Sequence, residues 1–499
     1  MNRPFATKLS FPSSAAEHAT APRETPCDRD GGGAAFPRAR RRAAPRAVAL
    51  AVLALALAPA AWGQQRRKQP PKRHAAPTPR VLPAPPPAVP AGHPAPLRLG
   101  AHAPRVRIDL RQATHLALAH NHTLRAERTL IVQSQANQLT ASLRPNPVFD
   151  TDALFLPVFN PRKLNADNFS VNGEFDAGAS YTWELGGKRR ARMRAAEEQT
   201  GVTIQQVQND TRRLTYGVKR RFIQVLLAES NLRFARRELK SFQSSLRISR
   251  EQYKAGSISH GDLLKTQLQL LTFQTDTIGA KVALTRALFS LRREIGFGAV
   301  PAQYAVLGRL RYQPLRRGVT GLEAEALRRR PDLIAARREI VAQGGQLHLA
   351  RANAVPNLTT TLDYTHIYGI GNLSAYATIG IPIFDRNQGN IALTQARIRE
   401  ARQFAQAVAE QVVTAVRGSY AQLRSNNGIV RLYRSGYLQK ARQSLVIAQY
   451  AYVRGAASLL DFLDAERSYR TVELNYRQAL AAAMVARARL VETVGTQHL

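Results

Sequence analysis

Two aspartates three residues apart, Asp461 and Asp464, are the residues whose type and spacing most directly predict chemistry in this chain. They follow a glycine in the segment "YVRGAASLLDFLD" (452–464), which otherwise has the pattern of a helix. Residues i and i+3 lie on one face of a helix, so both carboxylates point the same way. Crowded carboxylates repel one another until a proton or a cation relieves the repulsion. The pair therefore predicts a cation-attracting opening if copies of the chain meet there, and a solvated helix surface if they do not.

The same pattern of Tyr, Gly, Ser and Asp occurs a second time, in "YKAGSISHGDLLK" (253–265). In both copies the serine and the aspartate have the S-x-x-D spacing of a helix start, where hydroxyl and acid meet open backbone N–H groups. The glycine of each copy supplies a turn that reverses the chain. This capping interpretation explains Asp262 and Asp461 without any function. It leaves Asp464 unexplained, because the first copy has Lys265 at that position.

Charge and cysteine content narrow the classes of protein that this chain can represent. Its 499 residues include 72 Lys and Arg against 34 Asp and Glu, a formal net charge of +38, which favours an anionic partner such as nucleic acid, phospholipid or lipopolysaccharide. The single cysteine, Cys27, excludes a disulfide framework and a cysteine-based zinc site. Six histidines lie between His74 and His122 without an accompanying acid or cysteine cluster, so structural or solvent-exposed roles are favoured. We expect no enzyme, no catalytic residue, no cofactor and no metal site.

The N-terminal region has the layout of a secretory signal. A basic run at 38–46 precedes about a dozen apolar residues and then small residues, and cleavage is expected near Gly63 or Gln64. Eleven prolines between Gln69 and Pro96 predict an extended linker. The predicted regions are an N-terminal extension and signal at 1–63, a Pro-rich basic linker at 64–108, a first structural repeat at 109–300, an inter-repeat segment at 301–320 and a second repeat at 321–499.

An internal repeat organises the chain after Asp109. The segment "ALAHNHTL" (117–124) aligns with "ALRRRPDL" (326–333), and "ELGGKRRAR" (184–192) aligns with "IFDRNQGNI" (383–391). Each half therefore predicts a helix, a break at Pro-Asn, an extended hairpin, a glycine-containing turn and a long helix that leads to the Tyr-Gly-Ser-Asp motif. The first hairpin is longer, and the loop at 156–167 accounts for its extra length.

The predicted hairpin strands alternate between apolar and polar residues. In "EFDAGASYTWE" (174–184) the aromatic residues and alanines fall on one face, while Asp176, Ser180, Thr182 and Glu184 fall on the other. No later apolar stretch is as long as a membrane helix, so membrane insertion requires a β-barrel. Four strands cannot close a barrel with a lumen, and protomers would have to pool theirs.

The helical segments are predicted to be long. Residues 191–254 and 390–453 contain no proline, which predicts two uninterrupted helices of roughly 95 Å each at 1.5 Å per residue. Residues 109–143 predict one further helix in front of the first hairpin. The helix before the hairpin, stacked end to end on the helix that follows the Tyr-Gly-Ser-Asp motif, would match the long helix in length. Paired helices of equal overall length would form the wall of a cylinder.

Taken together, these motifs resemble the TolC-like outer-membrane efflux factors. The likeness covers the chain from about Asp109 to its end, and "ELGGKRRARM" (184–193) is most similar to the heavy-metal branch, of the cobalt-zinc-cadmium resistance type. The resemblance implies a mainly α-helical chain with a small transmembrane β part, assembled as a homotrimer. Four strands per chain would form a twelve-stranded barrel in the outer membrane, above a helical tunnel that crosses the periplasm. The implied partners are outer-membrane lipid, a periplasmic adaptor protein and an inner-membrane pump of the RND type.

The resemblance also assigns roles to the two turns and the acids beside them. The periplasmic tips that contact the adaptor match Gly256, Ser257, Gly455 and Ala456. An aspartate pair that narrows the tunnel entrance matches Asp461 and Asp464, and links that hold the entrance shut match Asp262 and Tyr452. Family members carry an arginine five residues after the tyrosine, where this chain has Ala457. Part of the closing network is therefore absent or replaced.

Two alternatives to export of heavy-metal cations stay open on the sequence alone. The first is a channel for drugs, other organic solutes or a type I secreted protein, because the pump largely selects the substrate. The second is a basic coiled-coil protein that binds nucleic acid, which the charge alone would allow. The export signal and the alternating strands argue against nucleic-acid binding.

Overall fold

The structure, a computed structural model, describes residues 106–156, 159, 160, 162, 173–315 and 317–496. These residues belong to one compact unit, Leu97–Leu499. The predicted export signal and Cys27 lie outside the described residues, as do most of the linker at 64–108 and most of the loop at 156–167.

The first repeat has the predicted order of helix, hairpin and long helical pair. In chain order its elements are β1 (Val106–Ile108), α1 (Leu110–His120), α2 (His122–Ser142), β2 (Val148–Leu154), β3 (Glu174–Trp183), α3 (Lys188–Lys254) and α4 (His260–Ile295).

The second repeat follows the same order. Its elements are β4 (Tyr304–Val306), α5 (Val319–Arg329), α6 (Pro331–Asn353), β5 (Leu358–Ile367), β6 (Ile370–Ile379), α7 (Gln388–Leu432), α8 (Leu438–Val453) and α9 (Leu459–Val494). A parallel pair between β1 and β4 joins the starts of the two repeats through the register Val106 to Tyr304.

The long helix of the first repeat confirms the sequence prediction. Helix α3 runs for 67 residues without interruption, which corresponds to roughly 100 Å. The prediction of one uninterrupted helix over 390–453 is wrong. Helix α7 ends at Leu432, and a π-helical segment, Tyr433–Tyr437, separates it from α8. Gly436 in that segment has φ 117°, a conformation that only glycine adopts without strain, so the break needs no proline.

The single helix predicted over 109–143 is also interrupted. Helices α1 and α2 meet at Asn121, whose backbone is extended. Its side-chain oxygen accepts a hydrogen bond from the Leu124 amide at 3.0 Å, and its side-chain nitrogen donates to the Glu294 carbonyl at 2.8 Å. The asparagine therefore caps one helix and ties it to the end of α4, which a contiguous helix could not do.

The two hairpins form one antiparallel sheet in the order β2-β3-β5-β6. Tyr368 and Gly369, both with positive φ, make the two-residue turn of the second hairpin, as expected for a tight hairpin connection. The connection of the first hairpin spans 155–173, in agreement with the predicted longer loop. Strands β2 and β6 are the edges of the sheet, and every residue of both strands is exposed.

None of the helices within the described part of the chain is both long and apolar enough to cross a membrane. The helical part has several apolar cores instead of a single one. One joins α1, α3 and α4, a second joins α5, α6, α7 and α9, and a third lies beneath the two Tyr-Gly-Ser-Asp turns. The third core holds the candidate site in position, and its fully or nearly buried members are Phe242, Phe273, Tyr452, Leu459 and Phe462.

Candidate functional site

The two glycine turns lie at the same end of the long helical pairs. Gly256 has φ 70° and Gly455 has φ 72°, so both adopt the left-handed conformation that glycine tolerates best. A Cβ at either position would meet no atom within 4 Å, so the backbone conformation and not packing requires glycine. Ser257 and Ala456, the next residues, are exposed, and their amides donate to carbonyls of the helices that end there. Both turns are therefore exposed at the ends of their helices.

The first tip is capped as the S-x-x-D spacing predicts. The Asp262 amide donates to Ser259 Oγ at 3.1 Å, and Ser259 Oγ donates to Asp262 Oδ2 at 2.8 Å. Lys265 Nζ lies 3.3 Å from the other carboxylate oxygen of Asp262. The serine hydroxyl, followed by Lys265, lowers the pKa of Asp262 below its ordinary value. Asp262 is therefore ionised at neutral pH and satisfied within its own tip.

The second tip carries a complete capping box. The Asp461 amide donates to Ser458 Oγ at 3.2 Å, while the Ser458 amide donates to Asp461 Oδ2 at 3.1 Å. Hydrogen bonds from the Ser458 hydroxyl and backbone lower the pKa of Asp461. The capping interpretation of both motifs is confirmed.

Asp464 does not take part in helix capping within the described part of the chain. It lies one turn after Asp461 on α9, is exposed, and has no hydrogen bond or ion pair with any described residue. Its counterpart Lys265, by contrast, pairs with Asp262. The second tip therefore presents one more unpaired carboxylate than the first.

Tyr452 is buried beneath the tips, with 5% of its surface exposed. Its hydroxyl lies 3.1 Å from Ser249 Oγ on α3, and its ring stacks on Phe462 at a centroid distance of 5.4 Å. Phe242 stacks in turn on Phe273, with centroids 4.6 Å apart. The described hydrogen bonds of one chain do not join Tyr452 to Asp262. A link between the two residues from neighbouring tips stays a prediction.

An arginine on α9 joins the two repeats near the tips. Ala457 occupies the position at which the resemblance has an arginine, and Arg470 on α9 forms an ion pair with Asp276 on α4. Its guanidinium also lies 4.4 Å from the centroid of the Phe273 ring. This pair joins the two repeats, and no sequence spacing indicates it because the residues are 194 positions apart.

Glu466 lies beside this ion pair and has only 4% of its surface exposed. Neither carboxylate oxygen accepts a hydrogen bond from a described residue, and Arg470 Nε is 3.7 Å away. The pKa of Glu466 is raised to about 7, mainly by burial; Arg470 opposes this rise, and the nearby acids Glu238 and Asp276 contribute to it. Sequence reasoning missed Glu466, since an acid in a helix normally indicates a solvated position.

The sheet carries a second cluster of acids on one face. Asp152 pairs with Asp176 across β2 and β3, and Gly178 pairs with Asp150 on one side and with Asp363 on the other. A Cβ at Gly178 would stand 2.8 Å from the Asp363 carboxylate and 3.1 Å from that of Asp150, so both acids lean over the glycine. Residues directly opposite in antiparallel strands share a face, so these side chains form one acidic surface. Of these four acids, only Asp176 lies in the segment whose alternating pattern predicts a polar face.

Among the described residues, no group of three or more His, Cys, Asp or Glu side chains is arranged to hold a metal ion. His115, His120 and His122 are exposed, in agreement with a solvent-exposed role. The other three histidines of that predicted set lie outside the described residues.

Three comparisons with known proteins, by family model, by sequence and by structure, agree with one another. The model of the family described as "Outer membrane efflux protein" matches residues 113–296 and 322–496. The pyoverdine export outer membrane protein OpmQ of Pseudomonas putida is 25% identical over 390 residues, which cover 72% of this chain and 80% of that protein. The cobalt-zinc-cadmium resistance protein CzcC of Cupriavidus metallidurans is 25% identical over 396 residues, which cover 78% and 90%. A crystal structure of CusC superposes with a TM-score of 0.64 at 20% identity, covering 80% of this chain and 95% of that one.

Proposed function

The chain belongs to the outer membrane efflux protein family, and we propose that it forms the outer-membrane channel of a tripartite system that exports metal cations. In this proposal an inner-membrane pump of the RND type delivers the substrate, and a periplasmic adaptor joins the pump to the tips. The chain itself performs no chemistry on the substrate. Family membership removes the support for the nucleic-acid-binding alternative.

The edges of the sheet support a homotrimer. An exposed edge strand is a template for pairing with another chain, and here both β2 and β6 are exposed along their whole length. Three four-stranded sheets joined edge to edge would make a closed barrel of twelve strands. Closure would satisfy the unpaired backbone groups of both edges, which lipid cannot do.

Helix α4 offers a second surface for contact between protomers. Helix α4 exposes a row of apolar residues at spacings of three, four and seven, which are those of a coiled-coil seam. The members of this row are Leu264, Leu268, Leu271, Ile278, Val282 and Phe289. A helix of a neighbouring protomer would cover the row, which supports assembly along the length of the tunnel.

The acidic face of the sheet is the observation that supports cations as the exported substrate. Asp150, Asp152, Asp176 and Asp363 share that face, whereas the opposite face presents apolar residues such as Phe149, Leu362 and Leu373. In a barrel the apolar face contacts lipid and the polar face lines the lumen. Repetition in three chains would give a ring of twelve carboxylates, which attracts cations despite the basic chain.

The tips would provide the second cation filter and the docking surface. We assign the adaptor contact to Gly256, Ser257, Gly455 and Ala456, because both turns are exposed and lie at the same end of the long helical pairs. The entrance carboxylates would be Asp461 and Asp464, since Asp464 has no partner among the described residues of its own chain. Asp262 and Tyr452 would contribute to closure.

Current measurements in planar lipid bilayers test directly whether the channel prefers cations. Under a tenfold salt gradient, the reversal potential of the wild-type channel should indicate cation preference. The Asp152→Asn, Asp363→Asn variant should shift this potential toward zero, while Thr151→Val, on the opposite face of the same strand, should not. An anion-selective wild type would contradict the proposal.

A second candidate substrate is an organic solute such as pyoverdine. The match to a pyoverdine export protein over 72% of this chain favours it. Expression in a host that lacks its own channel distinguishes the two substrates. Restored tolerance to cobalt, zinc or cadmium supports metal export, while restored secretion of pyoverdine alone supports the second candidate.

A further inference from the structure

A cleft of about 1020 Å³ lies between α3, α9 and the inter-repeat segment, midway along α3. Its floor is formed by apolar side chains that are more than nine-tenths buried: Phe222, Ile223, Leu226, Ala488 and Val491. Gly308 brings the inter-repeat segment close to this floor, since a Cβ there would stand 3.3 Å from Leu226 Cδ2. A volume of this order, with an apolar lining, is typical of a small-molecule site.

Cationic side chains surround the opening of the cleft. They are Arg107, Lys219, Arg233, Arg309, Arg311 and Arg487. Among the described residues that line the cleft, Glu229 is the one acid, and it lies 3.7 Å from Arg233. Lys219 and Arg309 have no ion-pair partner within the described part of the chain. Burial lowers the pKa of Lys219, so an anion beside it would regain the stabilisation that water no longer supplies.

The chain's own N-terminal segment is an unsuitable occupant. Arg107 at the rim follows residues 64–105, which contain eight Lys and Arg residues and no Asp or Glu. A segment of the same charge is repelled by the cationic rim. The ligand should therefore be an external anion, and the apolar floor requires that it also carry an apolar part.

We infer that this cleft binds a small anionic amphiphile of the acyl carboxylate type. The acyl chain lies on the floor of Phe222, Leu226 and Val491, and the carboxylate meets Lys219 and Arg309. None of the residues that line the cleft is among those assigned above to the barrel lumen, the entrance or the tips, so the site does not depend on the identity of the exported substrate. Such a ligand would tie the inter-repeat segment to α3 and α9 of the same chain.

Fluorescence of dansyl-undecanoate tests this inference on the assembled trimer in nanodiscs of zwitterionic lipid, with empty nanodiscs as background. We expect saturable binding, and competition by fatty acids that improves about fourfold for each added methylene until the floor is filled. Lys219→Met should weaken binding about tenfold, as for loss of one charge-assisted contact. Lys240→Met removes an exposed lysine from the same helix outside the cleft and should leave binding unchanged.

Three outcomes would overturn the inference. The first is equal affinity of the probe for wild type and Lys219→Met. The second is equally tight binding of the uncharged methyl ester of the probe. The third is displacement of the probe by polyglutamate as effectively as by undecanoate, which would indicate an acidic protein segment as the ligand. If Lys219→Met does not assemble, Arg309→Gln, at an exposed position, serves as the second test.

Discussion

The hydroxyl groups of Tyr452 and Ser249 lie 3.1 Å apart beneath the helix tips and join α8 to α3 across 203 positions of sequence. Ser249 is completely buried and Tyr452 nearly so, which means that water cannot replace the bond without opening the tip. The two helices belong to different repeats. In the proposed channel, separation of these two helices would widen the entrance.

Loss of the bond should therefore favour the open entrance. Tyr452→Phe keeps the ring stacked on Phe462 but removes the hydroxyl, at a cost of roughly 1 kcal/mol. Combined with Asp262→Ala, it should raise single-channel conductance or admit a large antibiotic. Ser249→Ala should raise conductance as Tyr452→Phe does. The effects of Ser249→Ala and Tyr452→Phe should not add when the two are combined, because both remove the same Tyr452–Ser249 bond. Tyr450→Phe, at an exposed position, is the matched control, and unchanged conductance in all variants would place the closing contacts elsewhere.

Block by multivalent cations tests the entrance carboxylates. Three copies of Asp461 and Asp464 at one axis would bind a multivalent cation added from the periplasmic side and stop the current. The Asp461→Asn, Asp464→Asn variant should lose this block while still assembling. Asp464→Asn alone should weaken it measurably, since Asp461 is partly committed to the capping box. A block of equal strength in wild type and double variant would make the pair an ordinary helix surface.

Glu466 makes the stability of the tip depend on pH. Burial raises its pKa to about 7, against an ordinary value of 4.5, so the neutral acid fits the folded tip better than the ion. The stabilisation is complete below pH 4.5 and is lost as the pH rises through about 7, with a total near 3 kcal/mol by order of magnitude. The groups that face it are Glu238 on α3, Asp276 on α4 and Arg470 on its own helix.

Hydrogen exchange of the α9 amides around Phe462 measures this effect. After correction for intrinsic rates, opening should be more frequent at pH 8 than at pH 6 in the wild type. Glu466→Gln should remove the difference and protect the tip at pH 8. Glu251→Gln, at an exposed ion pair of the first tip, should keep the wild-type response. A Glu466→Gln variant that retains the full pH dependence would show that another group is responsible.

Substitutions at the two tip glycines distinguish the effect of backbone strain from the effect of lost contact with the adaptor. A Cβ at Gly256 or Gly455 meets open space in the chain, but positive φ costs an L-residue about 1–2 kcal/mol. Alanine at both positions should therefore leave assembly and most of the export intact. Leucine or a larger residue at both positions adds bulk at the same strain and should abolish metal tolerance while the trimer still forms. Unchanged tolerance in the bulky variant would remove the tips from the adaptor contact.

Local signals in the sequence predicted most elements of the fold correctly. The hairpin strands, the 67-residue helix and both capped turns depend on residues within a few positions of one another, whose spacing is readable without the rest of the chain. The breaks at Asn121 and Gly436 were missed. Asparagine and glycine also occur inside helices, and the Asn121 break is stabilised by a hydrogen bond to the distant Glu294.

The amino-acid sequence by itself determined the repeat, the strand pattern, the turns and the surplus carboxylate at Asp464. Only the tertiary structure decided what surrounds each side chain. It brought Arg470 to Asp276, buried Glu466 without a hydrogen bond, and collected Asp150, Asp176 and Asp363 on one face of the sheet. The physical reason is that charge and burial depend on neighbours from the other repeat, nearly two hundred positions away along the chain. No local spacing encodes such a neighbour, because the contact exists only after the two repeats have packed together.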